Sequence, residues 1–221
     1  MAMERRFLAS SSAGLQVRSE GEQPIIEGYG AVFYRAGDPG TEFQLWRDVY
    51  ERIARNAFDR AIREDRVRSL FNHDSNWVLG SNRGASPTLS LSVDDVGLRY
   101  AVKPPATQLV RDAVLEPIRR GDVDGSSFMF MPRKVAWIEE DRDGRMVDIR
   151  ELQEVELWEV GPVTFPAYSG TTTGLRAAEQ DLAAIRQDLD ASRRARDLLR
   201  RRDEDAAAAV DVALRLAGVR P

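Results

Sequence analysis

The sequence predicts an α+β domain with a mostly antiparallel, barrel-like sheet and flanking helices, followed by a helical C-terminal tail. Three observations carry that expectation. Short β-branched and aromatic runs alternate with turn residues from Ile25 to about Phe165. Only two stretches in that body have helical spacing, and residues 175–221 contain no Trp, Tyr or Phe. The 221 residues suffice for one domain with a sizeable core plus an appendage.

Residues 1–24 are polar, with short apolar alternation at Phe7-Leu8 and Leu15-Gln16-Val17, and fit an edge strand or a loose arm. The folded body begins with Ile25-Ile26-Glu27-Gly28-Tyr29-Gly30-Ala31-Val32, where glycines inside a β-rich run indicate a bent or bulged strand. After the turn Gly37-Asp38-Pro39-Gly40, the apolar positions Phe43, Leu45, Val49 and Ile53 lead into a short helix over 58–64. Strands at 67–74, 89–93 and 97–102 read as an antiparallel meander, with a Ser/Asn/Gly loop following His73. Leu109, Val110, Ala113, Val114 and Ile118 mark a helix stopped by Gly121. Strands at 127–131 and 152–160 flank a hairpin that turns at Asp143-Gly144. In the tail, Leu182, Ile185 and Leu189 form one narrow apolar stripe among Ala, Arg and Asp. The chain therefore divides into an arm (1–24), a body (25–170) and a helical charged tail (171–221).

Composition removes several classes of chemistry. The net charge of −4, from 32 basic and 36 acidic residues, gives no global basic field, so nucleic acid is not the expected partner. The absence of cysteine excludes disulfides, zinc–thiolate sites and cysteine nucleophiles. His73 is the only histidine, so no multi-histidine metal site can form and any imidazole chemistry falls on that position. No window approaches the roughly 20 apolar residues of a membrane span. The first residues lack the apolar centre of a signal peptide, so the chain reads as soluble and intracellular, with no membrane partner.

Three places could carry chemistry, and each has an ordinary reading beside the functional one. His73, in Leu70-Phe71-Asn72-His73-Asp74, is a strand-end histidine unless geometry supplies a partner. Gly125-Ser126-Ser127-Phe128-Met129-Phe130 could present a hydroxyl at a sheet edge, or could be plain turn chemistry before a strand. In 152–160, period two puts Glu154, Glu156 and Trp158 on one face and Gln153, Val155, Leu157 and Glu159 on the other. A solvated acidic face explains this, and so does a carboxylate that orients an imidazole.

Taken in order, several motifs resemble the prohead (capsid maturation) proteases of tailed bacteriophages. They are Ile53-Ala54-Arg55-Asn56-Ala57-Phe58, Asn72-His73-Asp74, Leu79-Gly80, Gly97-Leu98, Ser127-Phe128 with Phe130, and the run from Glu154 to Ala167 containing Val160-Gly161-Pro162-Val163. The likeness spans about Gly28 to Ala167, and leaves the tail uncovered. It implies a serine endopeptidase with Ser127 as nucleophile and His73 as base, Ser126 being a competing serine. The family is similar in fold to the herpesvirus maturational protease, in which a second histidine completes the triad. This chain has none, and matching the closing strand puts Glu154 at that place, with Glu159 as runner-up and Asp74 as a weaker rival. The corresponding oxyanion-hole segment is Gly161-Pro162-Val163. Pro162 has no N–H, so the donor expected is Val163.

The same resemblance implies cleavage of major capsid protein and scaffold segments, and of the enzyme itself, with possible self-association. It places the protein in the cytoplasm of the bacterial host, inside the assembling prohead, and requires no cofactor or metal. The alternative from another class is a catalytically silent assembly or scaffolding protein acting through its tail. A general esterase is disfavoured because no Gly-x-Ser-x-Gly elbow is present.

Overall fold

In the computed structural model, residues 3–8, 10–21, 23–165 and 172–216 are described, apart from the side chains of 10, 20, 39, 172–181 and 210–216. Pro166 and Ala167 of the closing motif therefore lie outside the described residues. The elements run β1 (Glu4–Leu8), α1 (Ser10–Ala13), β2 (Gln16–Glu20), β3 (Gln23–Val32), β4 (Phe43–Trp46), β5 (Val49–Ile53) and α2 (Asp59–Glu64). They continue as β6 (Arg68–Phe71), β7 (Asp74–Ser81), β8 (Leu89–Val93), β9 (Gly97–Val102), α3 (Gln108–Val110), α4 (Glu116–Arg120), β10 (Gly125–Arg142), β11 (Arg145–Val163) and α5 (Thr172–Leu216).

Two sheets share one core. The larger has the order β1-β10-β11-β5-β4, with β6 joined to β11 and β7 joined to β6, and the smaller has the order β2-β3-β9-β8. Phe128, Phe130, Leu152 and Val160 from the first sheet and Ile26, Leu98, Tyr100 and Val102 from the second are buried in the same cluster with Phe33 and Phe58. Close approach of the layers depends on Gly30, where a Cβ would fall 2.3 Å from Val160 Cγ2. The strand carrying it shifts register between Tyr29 and Ala31, so the glycine-rich run is indeed bulged.

Three expectations need correction. The sheet is not a closed barrel: β1 and β4 end one sheet, β2 and β8 end the other, and no ladder joins those edges among the described residues. The meander is absent, because β6 leaves the β8–β9 hairpin and pairs in parallel with β11, as β5 also does. The segment after His73 is not a loop but β7, which returns antiparallel along β6.

The 108–120 stretch is helical, but Arg111–Leu115 has π-type hydrogen bonding. Pro117, which lacks an N–H, follows directly and accounts for the loosened turn. Gly121 closes it at φ 78°. Among the described residues, those from Leu182 onward form a separate unit and all lie within the 45-residue helix α5.

A buried ionic group ties β1 to the sheet. Arg6 reaches Glu51 at 2.5 Å and Glu4 at 2.7 Å, while Arg150 reaches Glu51 at 2.5 Å and Glu4 at 2.8 Å. Two cations and two anions balance. Burial pushes the Glu51 carboxyl up, but Arg6 and Arg150 outweigh it, and Glu51 lies below the usual glutamate range. Its stabilising contribution is fully present above the ordinary glutamate value and is lost as pH falls through the depressed folded value. Glu51→Gln should therefore cost about 3–5 kcal/mol near neutrality, because Arg6 and Arg150 are left to share Glu4 and one buried positive charge is uncompensated. It should also lose less stability than wild type between about pH 7 and about pH 3. Urea unfolding at the two pH values checks both, and an acid limb as steep as that of wild type contradicts the assignment.

Candidate active site

Side-chain alternation separates the two serines of the Gly125-Ser126-Ser127 motif. Ser126 faces the core, where its Oγ lies 3.0 Å from the Tyr100 hydroxyl, a group pushed up by burial with the Glu159 charge adding to the effect. Ser127 takes the opposite face, across from Gly161 of β11 and Phe7 of β1. It is 0% exposed, and its Oγ donates to the Arg6 carbonyl at 3.0 Å.

A β-bulge brings a carboxylate to the same face. Met129 pairs with Glu159 and Phe130 with Leu157, so Trp158 is an extra residue in β11. Leu157 and Val160 both remain in the core with Phe130 and Phe128, although their spacing of three would put them on opposite faces of an unbroken strand. Glu159 is thereby turned onto the Ser127 face, and its carboxylate is 2% exposed.

The histidine arrives on a two-residue turn. Asn72 and His73 both have positive φ, 54° and 58°, between Phe71 and Asp74, which pair across the β6–β7 hairpin. Left-handed geometry at both central positions is the signature of the tight hairpin turn that Asn favours, and a histidine there is strained. The turn is fastened to the end of β11. The Asn72 N–H donates to the Pro162 carbonyl at 3.1 Å, the Thr164 N–H donates to Asn72 Oδ1 at 2.7 Å, and Asn72 Nδ2 donates to Thr164 Oγ1 at 3.0 Å. Held in this way, His73 Nδ1 meets Glu159 Oε2 at 2.6 Å.

Because an ionised carboxylate only accepts, this contact puts the imidazole proton on Nδ1 and leaves Nε2 with its lone pair. Nε2 is buried and has no partner among the described residues. The Phe7 ring stands edge-on to the imidazole at 5.6 Å. Ser127 shares this face, but its hydroxyl is bonded to the Arg6 carbonyl and not to His73 Nε2. A hydroxyl, an imidazole and a buried carboxylate are the group types that acyl transfer uses. No group of residues able to hold a metal ion occurs among the described residues.

Of the carboxylates weighed from the sequence, Glu159 meets His73. Glu154 does not: it accepts from Arg60 Nε at 3.0 Å, on the far side of the bulge. Asp74 turns back along its own strand, β7, and accepts from the Asn76 N–H at 2.8 Å. Val163 is buried at the end of β11, opposite Gly125. Phe7 and the Arg6 carbonyl had no place in the sequence reading, and their one signal was the apolar Phe7-Leu8 pair inside a polar arm.

A family model for the caudovirus prohead serine proteases matches residues 13–187. The chain belongs to that family. It is accordingly a serine peptidase of phage capsid maturation. No curated protein and no solved structure matches it. No helix among the described residues of the protease is long and apolar enough to cross a membrane.

Gly161 lets the histidine turn dock in this protease. A Cβ there would lie 2.1 Å from the Leu70 carbonyl oxygen, a backbone atom that cannot rotate away. Gly161→Ala should push β6 off β11, costing about 1–3 kcal/mol and lowering peptide cleavage at least about tenfold through the displaced imidazole. Thermal unfolding and peptide hydrolysis measure the two effects. Wild-type values for both would show that β6 and β11 do not approach as described.

Proposed function

We propose that the protease cleaves capsid and scaffold segments, and itself, with Ser127 as nucleophile, His73 as general base and then acid, and Glu159 as the orienting carboxylate. The carrying observation is the 2.6 Å contact between His73 Nδ1 and Glu159, on the strand face that Ser127 shares. In the reaction the Ser127 hydroxyl turns from the Arg6 carbonyl to His73 Nε2 and gives up its proton as Oγ attacks the scissile carbonyl carbon. His73 then returns that proton to the leaving amine, and a water activated in the same way releases the acyl-enzyme. Buried Glu159 stabilises the imidazolium formed at each step. Pro162 offers no N–H, so Val163 is the first backbone donor beyond Gly161 on that strand and is our choice for the oxyanion.

The reading places the enzyme in the cytoplasm of the bacterial host, inside the assembling prohead. Ser127→Ala and His73→Ala should each lower cleavage by about 10⁶-fold. Glu159→Gln should lower it by about 10³- to 10⁴-fold, because the imidazole loses its tautomer and its counter-charge. Ser126→Ala and Glu154→Gln should stay within about threefold of wild type, since neither side chain reaches the imidazole. Hydrolysis of a capsid-derived peptide ranks the five variants, and a larger defect for Glu154→Gln than for Glu159→Gln would remove Glu159 from the triad.

The tail, 171–221, is proposed as a docking element for the prohead rather than part of catalysis. A chain ending at Gly170 should fold and cut peptide at the wild-type rate yet enter proheads poorly, as read by circular dichroism, peptide hydrolysis and prohead composition. Loss of peptide cleavage on truncation would assign the tail to the catalytic domain.

A further inference from the structure

We infer that the outer edge of β10 is the docking edge for an extended peptide substrate, and that the chain's own β1 occupies it in a latent resting state. The inference rests on the Ser127–His73 reading above. Its starting point is that the proposed nucleophile cannot be reached: Ser127 is fully buried, and His73 Nε2 is buried without a partner. The covering element is β1. It pairs antiparallel with β10, putting Phe7 opposite Ser127 and Arg6 opposite Phe128. Ser127 Oγ donates to the Arg6 carbonyl, and Phe7 stands against His73. A peptide bond thus lies beside the hydroxyl, but the hydroxyl is spent as a donor to the carbonyl oxygen, and attack requires it to give its proton to His73.

The manner of attachment is that of strand addition, in which backbone pairing gives affinity and alternate side chains give selectivity. Glu4, Arg6 and Leu8 point inward, Glu4 to Arg150, Arg6 to Glu51 and Leu8 to the small cluster with Ala13 and Val32. Departure of β1 removes one anion and one cation together, and leaves Glu51 and Arg150 still paired at 2.5 Å. Neither side of the joint is left with an uncompensated charge, so an incoming strand can replace β1 without stranding an ion. The substrate class that fits is an extended peptide with an acidic residue opposite Phe130, a basic residue opposite Phe128, an apolar residue opposite Ser126 and an aromatic residue opposite Ser127.

The test pins β1 in place reversibly. Arg5 and Met129 face each other in the register and lie outside the ionic group, and the chain has no cysteine of its own. The full chain carrying Arg5→Cys and Met129→Cys is labelled with a fluorophosphonate, and the labelled serine is mapped by peptide mass spectrometry. We expect labelling of Ser127 to be at least about tenfold slower in the oxidised protein than in the same protein after reduction, because only the open fraction reacts. Equal rates in the two forms would overturn the inference and make β1 a fixed part of the site. A label on another serine after reduction overturns the Ser127 reading, and with it the latency. If the disulfide does not form, hydrogen exchange on the wild-type chain decides. The amides of β1 should exchange well ahead of those of β3, and equal protection of the two strands refutes an exchangeable β1.

Discussion

One extra residue in β11 decides what this site can do. Without the bulge at Trp158, the alternation that buries Val155 and Leu157 would send Glu159 into the core beside them, with its charge unpaired. With it, Leu157 and Val160 both stay in the core and Glu159 changes face to meet His73. The bulge therefore solves a packing problem and an electrostatic one together. A carboxylate only 2% exposed is tolerable next to an imidazole that can take up positive charge, and would be costly almost anywhere else in this core.

The histidine is delivered at a conformational cost that its surroundings offset. Two consecutive non-glycine residues in left-handed geometry cost about 1–3 kcal/mol each in isolation. Asn72 recovers part of this through three hydrogen bonds to Pro162 and Thr164, and the Gly161–Leu70 approach locks the hairpin against β11. All these contacts converge on the last residues of the strand that carries Glu159. His73 and Glu159 are thus referenced to one rigid element, and their 2.6 Å contact does not depend on a mobile loop.

How far the sequence was legible follows from which contacts are local. The order of motifs pointed to His73 and Ser127, and simple alternation separates Ser127 from Ser126 once the strand is known to have one core face. Period-two reasoning assumes an unbroken strand, so it does not show that Glu159, rather than Glu154, is the carboxylate in contact with His73. The clue was present in Leu157 and Val160, two core residues three apart around Trp158-Glu159. β7 was hidden because Asp74-Ser75-Asn76 are turn formers, and strand β6 supplies the pairing that their own propensity does not. Closure of a barrel was not legible at all, since it depends on hydrogen bonding between edges far apart in sequence.

The N-terminal residues illustrate the same limit with larger consequence. Glu4 and Arg6 look like solvated charges in a polar arm, because their partners Glu51 and Arg150 lie on strands distant in sequence. Once paired, the four charges form a joint quite unlike an apolar one. Apolar burial gains with every methylene covered and has no preferred exchange partner, whereas a buried, balanced set of ions adds little net stability yet specifies its complement closely. A joint of that kind suits a strand whose place must be both definite and exchangeable. In this protein it lies beneath the same strand whose Arg6 carbonyl accepts the Ser127 hydroxyl.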